Sequence, residues 1–119
     1  MKAINLKQKL SLFDEQWSQK IITNIDDYEV KLAKIEGDFI WHMHQQEDEM
    51  FLVLKGHLTL AFRDHTVELD EGEMCVVPKG VEHKPSTVGE CHLLLIERKG
   101  VRNTGEHENE RTQEHSERI

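Results

Sequence analysis

The chain has no cluster of basic residues and no long apolar run. Its 119 residues include 15 Lys and Arg against 23 Asp and Glu, which gives a formal net charge of −8. Nucleic-acid binding requires clustered Lys and Arg to contact phosphates, and the lysines here are scattered among acidic and apolar residues, so we expect no nucleic-acid partner. No apolar stretch approaches the ~18 residues of a membrane-spanning helix, so we expect no membrane partner either.

Cysteine is scarce, and a secretory leader is not evident. Cys75 and Cys91 have no metal-type spacing, and each lies in an apolar, strand-like stretch, which predicts free thiols. The first five residues run into a mixed polar segment without the apolar region of a signal peptide. We therefore expect a cytoplasmic protein.

Long helical periodicity is also missing, and short apolar runs punctuated by turn residues take its place. A short helical turn is predicted over residues 5–10, where Asn5 and Gln8 have the spacing of a cap. Strands are predicted at Ile21–Ile25, Val30–Ile35, Phe39–His44, Glu49–Leu54, His57–Arg63, Thr66–Leu69, Met74–Val77 and Cys91–Glu97. This pattern predicts an all-β sandwich or closed barrel.

Two strands are apolar on both faces, namely Phe51–Leu54 and Leu93–Ile96. Because a small sandwich needs only one apolar face per strand for its core, the second face requires another layer or another subunit. We interpret this as an indication of a homodimer.

The last residues differ in composition from the rest of the chain. Between Gly105 and Ile119 the only hydrophobic residue is Ile119, and the segment is dense in Glu, His, Arg and Gln. We therefore predict one domain over residues 1–104, with its core at about 18–100, and a polar tail over 105–119. The tail is predicted to be disordered or to lie across a neighbouring surface.

The most informative feature is the pair His42 and His44, followed by Glu49 and later by His83. Histidines at i and i+2 on an extended strand point to the same side. A turn after His44 would let Glu49 face both imidazoles, and His83 would join them from a second hairpin. Three imidazoles and one carboxylate suit a divalent transition metal with open coordination positions.

The spacing of these residues resembles the two sequence motifs of the cupins. The first motif is matched by Gly37, His42, His44, Glu49 and Gly56, and the second by Gly72, Pro78, Gly80 and His83. Four residues rather than five separate Gly37 from His42, and Thr87 stands where the second motif often has Asn. The chain resembles a small single-domain cupin, of the bacterial group described as mannose-6-phosphate isomerase-like. This resemblance implies a jelly-roll barrel with His42, His44, Glu49 and His83 as metal ligands.

The expected function is a metal-dependent enzyme acting on a small oxygenated substrate by isomerase, lyase or dioxygenase chemistry. The metal is one divalent ion, and Fe, Mn, Ni, Co and Zn are all compatible with the set. Tyr28, His92 and Thr87 are the candidates for a catalytic polar partner.

The substrate is expected to lie among apolar side chains, because Ile40, Phe51 and Val53 share parity with the ligands. Such a pocket favours a hydrophobic or aromatic oxygenated compound over a phosphorylated sugar, for which no Arg or Lys cluster is evident. Two alternatives stay open, a non-catalytic module that binds a metal and a small molecule, and a structural metal site.

Overall fold

The computed structural model describes residues 1–105, 107–113 and 115–119, and its architecture is all-β, as predicted. The elements in chain order are α1 (Leu6–Leu10), β1 (Lys20–Ile25), β2 (Tyr28–Asp38), β3 (Glu49–Lys55), β4 (Leu58–Ala61), β5 (Thr66–Leu69), β6 (Met74–Val77), β7 (Lys84–Arg98) and β8 (Glu117–Arg118). Among the described residues, no helix has the length and apolar character that crossing a membrane requires.

Strand β7 organises the sheet because it pairs with three other strands. Along its 15 residues it is antiparallel to β2, while its first part pairs with β4 and its last part with β3. Strands β3 and β4 therefore share one edge of β7. On their other edges, β3 pairs with β6 and β4 pairs with β5. This arrangement encloses an apolar interior and agrees with the predicted jelly-roll class.

The interior is lined by alternate residues of the paired strands. Ala33 and Ile35 of β2 and Leu93 and Leu95 of β7 belong to one buried cluster with residues of β3 to β6. Because side chains alternate along a strand, Val30 and Leu32 of β2 face the opposite side. Both faces of β2 are therefore buried.

The opposite face is covered in part by the N-terminal segment of the same chain. Helix α1 begins after Asn5, whose Oδ1 accepts a hydrogen bond from the Gln8 backbone nitrogen at 2.9 Å, as the capping pattern predicts. Beyond the helix, Phe13 forms a second cluster with Val30 and Leu32, against which Leu6 and Leu10 pack. The N-terminal segment thus covers part of the second apolar face. The sequence pattern predicted that another layer or another subunit would do so.

The predicted strand Phe39–His44 is not a regular strand. Strand β2 ends at Asp38, and within the following segment only His42 forms a bridge, with His83, through backbone hydrogen bonds of 3.0 and 2.9 Å. Near its end β2 carries an irregularity, where the register shifts and Gly37 adopts a φ of +90° that favours glycine. Ile40 was predicted to face the interior on the same side as the ligands, and this is wrong, because Ile40 is only half-buried. Its neighbour Phe39 is buried and lines the interior instead.

The described part of the predicted tail lies on the chain itself. Strand β8 pairs in parallel with the first residues of β1, and the Ile119 nitrogen donates to the Ile21 carbonyl at 3.0 Å. The Ile119 side chain packs against the second apolar cluster.

Candidate metal centre

Four side chains named from the sequence converge at one end of the interior. His42 and His44 come from the irregular segment after β2, Glu49 is the first residue of β3, and His83 immediately precedes β7. All four are buried, and their candidate ligand atoms lie within 4.8 Å of one another. They form a group that could hold a metal ion.

Two of the imidazoles are oriented by backbone carbonyls. His42 Nδ1 donates to the Ile40 carbonyl at 2.9 Å, and His83 Nδ1 donates to the Val81 carbonyl at 3.0 Å. Because a carbonyl oxygen only accepts, each ring in its neutral form carries its proton on Nδ1. The Nε2 lone pairs are then left for the centre of the group, which is the usual orientation of a metal-binding histidine.

The donor atoms at the centre have no hydrogen-bond partner. His44 Nε2, His83 Nε2 and Glu49 Oε1 are buried and unsatisfied, a condition that costs about 1–3 kcal/mol for each group. Glu49 Oε1 lies 3.3 Å from His44 Nε2 and 3.7 Å from His83 Nε2. Two metal bonds of about 2.1 Å at tetrahedral angles place their ligand atoms roughly 3.4 Å apart. The residues present therefore fit one transition-metal ion.

The charge states of the group are shifted by burial and by its own members. Burial and the neighbouring His83 lower the pKa of His42 to about 4, so its imidazole is neutral at pH 7. Burial would also lower the pKa of His44, but the nearby Glu49 carboxylate outweighs it and raises that pKa. Burial would raise the pKa of Glu49, but His44 and His83 hold it well below its usual range.

A small cavity opens against this group. It touches His42 and Glu49, and its remaining wall comprises Trp17, Gln19, Ala33, Ile35, Phe39, Phe51, Pro85, Leu93, Leu95 and Asn103. About 40 Å³ is open to the centres of water-sized spheres, which corresponds to roughly three water molecules. The apolar character predicted for this space is confirmed, although Val53 lies outside the wall.

The cavity wall includes residues that the sequence analysis did not identify. Trp17 stacks on Phe39 with ring centroids 4.9 Å apart, and the guanidinium of Arg111 lies 4.8 Å from the Trp17 ring centroid. Asn103 donates to the Arg111 carbonyl at 2.8 Å and accepts from the Gln113 nitrogen at 2.7 Å. These contacts join distant parts of the chain, so no local sequence pattern indicated them.

A buried ion pair, also missed from the sequence, lies beside the group. Lys31 of β2 and Glu97 of β7 are both fully buried, with Lys31 Nζ 3.0 Å from Glu97 Oε1. Glu97 is the cross-strand partner of Glu49, and its Oε2 has no hydrogen-bond partner. Burial and the Glu49 charge raise the pKa of Glu97 against the opposing effect of Lys31. The inward rows of β2 and β7 thus place an ammonium group and a carboxyl group of raised pKa next to a candidate metal ligand.

The three candidates for a catalytic partner do not line the cavity. Tyr28 is exposed, with the guanidinium of Arg98 over its ring at 5.6 Å. His92 contacts Glu90 at 2.6 Å and lies in a groove with residues of α1. Thr87 is buried, but its Oγ1 accepts a hydrogen bond from the Gly37 nitrogen at 3.1 Å. The structure thus gives Thr87 a role in joining β2 to β7.

The part of the chain that carries these four residues matches a known family. The model of that family, described as the cupin domain, matches residues 28–97. The chain belongs to the cupin family. This cupin is 34% identical over 79 residues to the uncharacterized protein YdbB of Bacillus subtilis, covering 66% of this chain and 70% of YdbB.

Two solved structures are similar to this chain over most of their length. A cupin-2 domain containing protein from Shewanella frigidimarina is 49% identical with a TM-score of 0.80, over 81% of this cupin and 94% of that chain. Protein NMB1881 from Neisseria meningitidis is 38% identical with a TM-score of 0.75, over 82% of this cupin and 100% of that chain. The similarity extends beyond the matched domain in both cases.

Proposed function

We propose that this cupin holds one divalent transition metal through His42, His44, Glu49 and His83 and uses it as an enzyme on a small oxygenated organic substrate. The observation that carries the proposal is the set of buried donor atoms without hydrogen-bond partners, at the end of a cavity. A structural tetrahedral site closes its coordination shell with protein ligands, whereas a cavity beside the ligands leaves room for a substrate oxygen.

The wall residues favour a reaction whose chemistry the metal supplies. Apart from His42 and Glu49, the described residues of the wall include no group that acts as a general acid or base. A bound metal would polarise a substrate carbonyl or, if redox-active, activate dioxygen. The apolar wall would exclude water and orient the carbon skeleton. Among the three expected classes, this favours a dioxygenase over an isomerase that needs a separate base.

The same wall argues against a phosphorylated sugar as the substrate. No Arg or Lys is among the described wall residues, and phosphate groups are usually held by such side chains. The ammonium of Lys31 is buried behind Gln19 and is already hydrogen-bonded to it and to Glu97. A compact carboxylate or carbonyl compound fits the cavity better.

The alternative is a non-catalytic module that holds a metal and a small molecule, or the metal alone. The small size of the cavity favours it, because the wall formed by Trp17 and Asn103 leaves room for only about three water molecules. The two proposals differ in whether a ligand exchanges at the metal.

Substitution with Co(II) distinguishes an open site from a closed one. We expect the Co(II) protein to show the weak visible absorption of a five- or six-coordinate ion, and glycolate to change that spectrum. Intense tetrahedral bands that glycolate leaves unchanged would contradict the enzymatic proposal and support a structural site.

Metal binding is expected to release protons, and His44 is one source. Its raised pKa leaves a fraction of His44 protonated near neutral pH, whereas His42 is already neutral and Glu49 already ionised. A metal competes with this proton, so zinc affinity should rise with pH above 6.5 and level off above the pKa of His44. Calorimetric titration in buffers of different protonation enthalpy measures the released protons, and equal apparent enthalpies in all buffers would contradict the expectation.

We also propose that the chain forms a homodimer through the outer face of β3 and β6. Met74 and Val76 are 56% and 52% exposed there, opposite Leu52 and Met50 in register. The N-terminal segment covers β2 but leaves these side chains in solvent, and exposed apolar patches of this kind mark interfaces.

Sedimentation at micromolar concentration tests the dimer. The unmodified chain should sediment as a dimer, and the double variant Met74→Lys/Val76→Lys as a monomer. Val88→Lys is the matched control, because Val88 is fully exposed and belongs to neither β3 nor β6, so its variant should stay dimeric. A monomeric mass for the unmodified chain would contradict the proposal.

The cytoplasmic location stays a prediction from the sequence.

A further inference from the structure

One polar side chain reaches the cavity without belonging to the metal group or to the hydrogen bonds that hold the wall together. Gln19 directly precedes β1, is 9% exposed, and lines the same cavity as His42 and Glu49. A buried polar group without a complete set of partners is uncommon in a folded protein. The hydrogen bonds of the Gln19 amide therefore show which of its atoms can still bind a ligand in the cavity.

The orientation of the Gln19 amide is fixed by the buried ion pair. Its Oε1 accepts a hydrogen bond from Lys31 Nζ at 3.2 Å, and Lys31 in turn is held by Glu97 at 3.0 Å. An ammonium group can only donate, so the oxygen of the amide must face Lys31. The amide nitrogen is thereby turned away from Lys31, and it makes no hydrogen bond with the residues that the structure describes.

The other polar groups of the wall are already paired. Asn103 uses both atoms of its amide, as donor to the Arg111 carbonyl and as acceptor from the Gln113 nitrogen. Trp17 Nε1 donates to the Glu36 carbonyl at 3.0 Å. Among the described wall residues outside the metal group, Gln19 is thus the side chain whose amide nitrogen makes no hydrogen bond, whereas Asn103 Nδ2 already donates one.

We propose that Gln19 determines specificity in the cavity by donating a hydrogen bond from its amide nitrogen to an acceptor oxygen of a small carboxylate or oxo acid at the metal centre. The inference rests on the proposed function, because it needs a metal that holds one end of the ligand. A ligand without an acceptor would leave the Gln19 nitrogen buried and unpaired, and this cost discriminates against it.

Two variants separate the donor from the other roles of Gln19. Gln19→Glu retains an oxygen for Lys31 but has no N–H donor, and Gln19→Met is neutral and similar in length. The matched control is Gln16→Met, which removes the amide of an exposed glutamine that bonds Glu90. The backbone bonds between Gln19 and Gln113 are available in all these variants.

The experiment is a titration of the zinc-loaded chain with glycolate, followed by nitrogen-15 NMR of the side-chain amides. We expect the Gln19 amide protons to shift on binding and the already bonded Asn103 amide to move less. Glycolate affinity should fall at least about tenfold in Gln19→Glu and Gln19→Met and stay unchanged in Gln16→Met. Zinc stoichiometry, measured separately, should be the same in all four proteins.

The outcomes distinguish the two proposals. If zinc binds but glycolate does not bind, or binds equally to both Gln19 variants with an unmoved Gln19 amide, the specificity role is overturned and the metal site stands. If the chain binds no zinc, the proposed function fails first, and the inference fails with it. If Gln19→Met does not fold, the shift of the Gln19 amide in the unmodified chain decides, because Gln19→Glu adds a negative charge that itself repels glycolate.

Discussion

Replacing His44 with alanine is expected to lower zinc affinity by more than about two orders of magnitude while leaving the β-type circular dichroism spectrum intact. His44 supplies one of four ligand atoms, and its Nε2 lies 3.3 Å from Glu49 Oε1, another atom of the set. Loss of an outer-shell partner alone typically costs 10- to 100-fold in metal affinity, and loss of a direct ligand costs more. Competition with a chromophoric chelator measures the affinity.

The matched control is His57→Ala. His57 is an exposed histidine paired with Asp70 and Glu68 on the surface, so its removal should leave zinc affinity unchanged. Full affinity in the His44→Ala protein would remove His44 from the ligand set. Equal losses in both variants would point to a general effect of removing an imidazole.

The second large effect is expected at the buried ion pair. At pH 9, above the pKa of about 8 to which burial and Glu49 raise the Glu97 carboxyl, Lys31→Met should lower the free energy of unfolding by about 3–5 kcal/mol, because it leaves Glu97 buried without its cation and close to Glu49. The double variant Lys31→Met/Glu97→Leu should recover most of this loss, since an apolar pair of similar volume needs no charge compensation. Urea unfolding curves measure each protein.

The exposed pair Lys99 and Asp27 provides the control, since its charges lie 3.8 Å apart in solvent. Lys99→Met should cost less than about 1 kcal/mol. A similarly small cost for Lys31→Met would show that the buried pair contributes little to the stability of the barrel.

The loss in Lys31→Met should also depend on pH. Removing Lys31 raises the pKa of Glu97 further, because Lys31 opposes the effects of burial and of Glu49. The folded variant then holds a proton on Glu97 over a pH range in which the folded unmodified chain has released it. The difference in stability between the two proteins therefore grows as pH rises and shrinks as pH falls. Because the pKa of Glu97 in the unmodified chain is raised to about 8, the growth should appear above pH 8, and a constant difference between pH 7 and pH 9.5 would contradict this account.

The metal group could be predicted from the sequence because its signals are local. His42 and His44 are two residues apart, Glu49 starts an apolar strand, and His83 follows a proline and glycine turn. The regular strand assumed for the two histidines was wrong, but the bridge between His42 and His83 brings them to the same group.

The buried residues beside the metal group, Lys31, Glu97 and Gln19, could not be predicted in the same way. Lys31 appears in the sequence as a charged residue in an alternating strand, and such residues usually face solvent. Its burial depends on the register of β2 with β7 and of β7 with β3, which places Glu97 within reach. The orientation of the Gln19 amide depends on its hydrogen bond with Lys31, so Gln19 could not be identified without the fold. A signal was present, since Leu93, Leu95 and Glu97 share one parity, but only the fold identifies that side as the interior.

The dimer was predicted from strands that are apolar on both faces, and this pattern does not identify what covers the second face. Strands apolar on both sides do require a cover, and Leu6, Leu10 and Phe13 of the same chain supply part of it. Sequence alone could not distinguish this intramolecular cover from a second subunit. Beside one of these strands, Met74 and Val76 of β6 stay exposed, and the sequence pattern did not identify them as a dimer face.

Elemental analysis tests the central claim most directly. The chain would be purified untagged and without chelator, beside its His42→Ala variant, and the metal content per chain measured by mass spectrometry. We predict close to one transition-metal ion per chain in the unmodified protein and a large loss in the variant. Absence of metal from the unmodified chain, or equal content in both proteins, would contradict a metal held by His42, His44, Glu49 and His83.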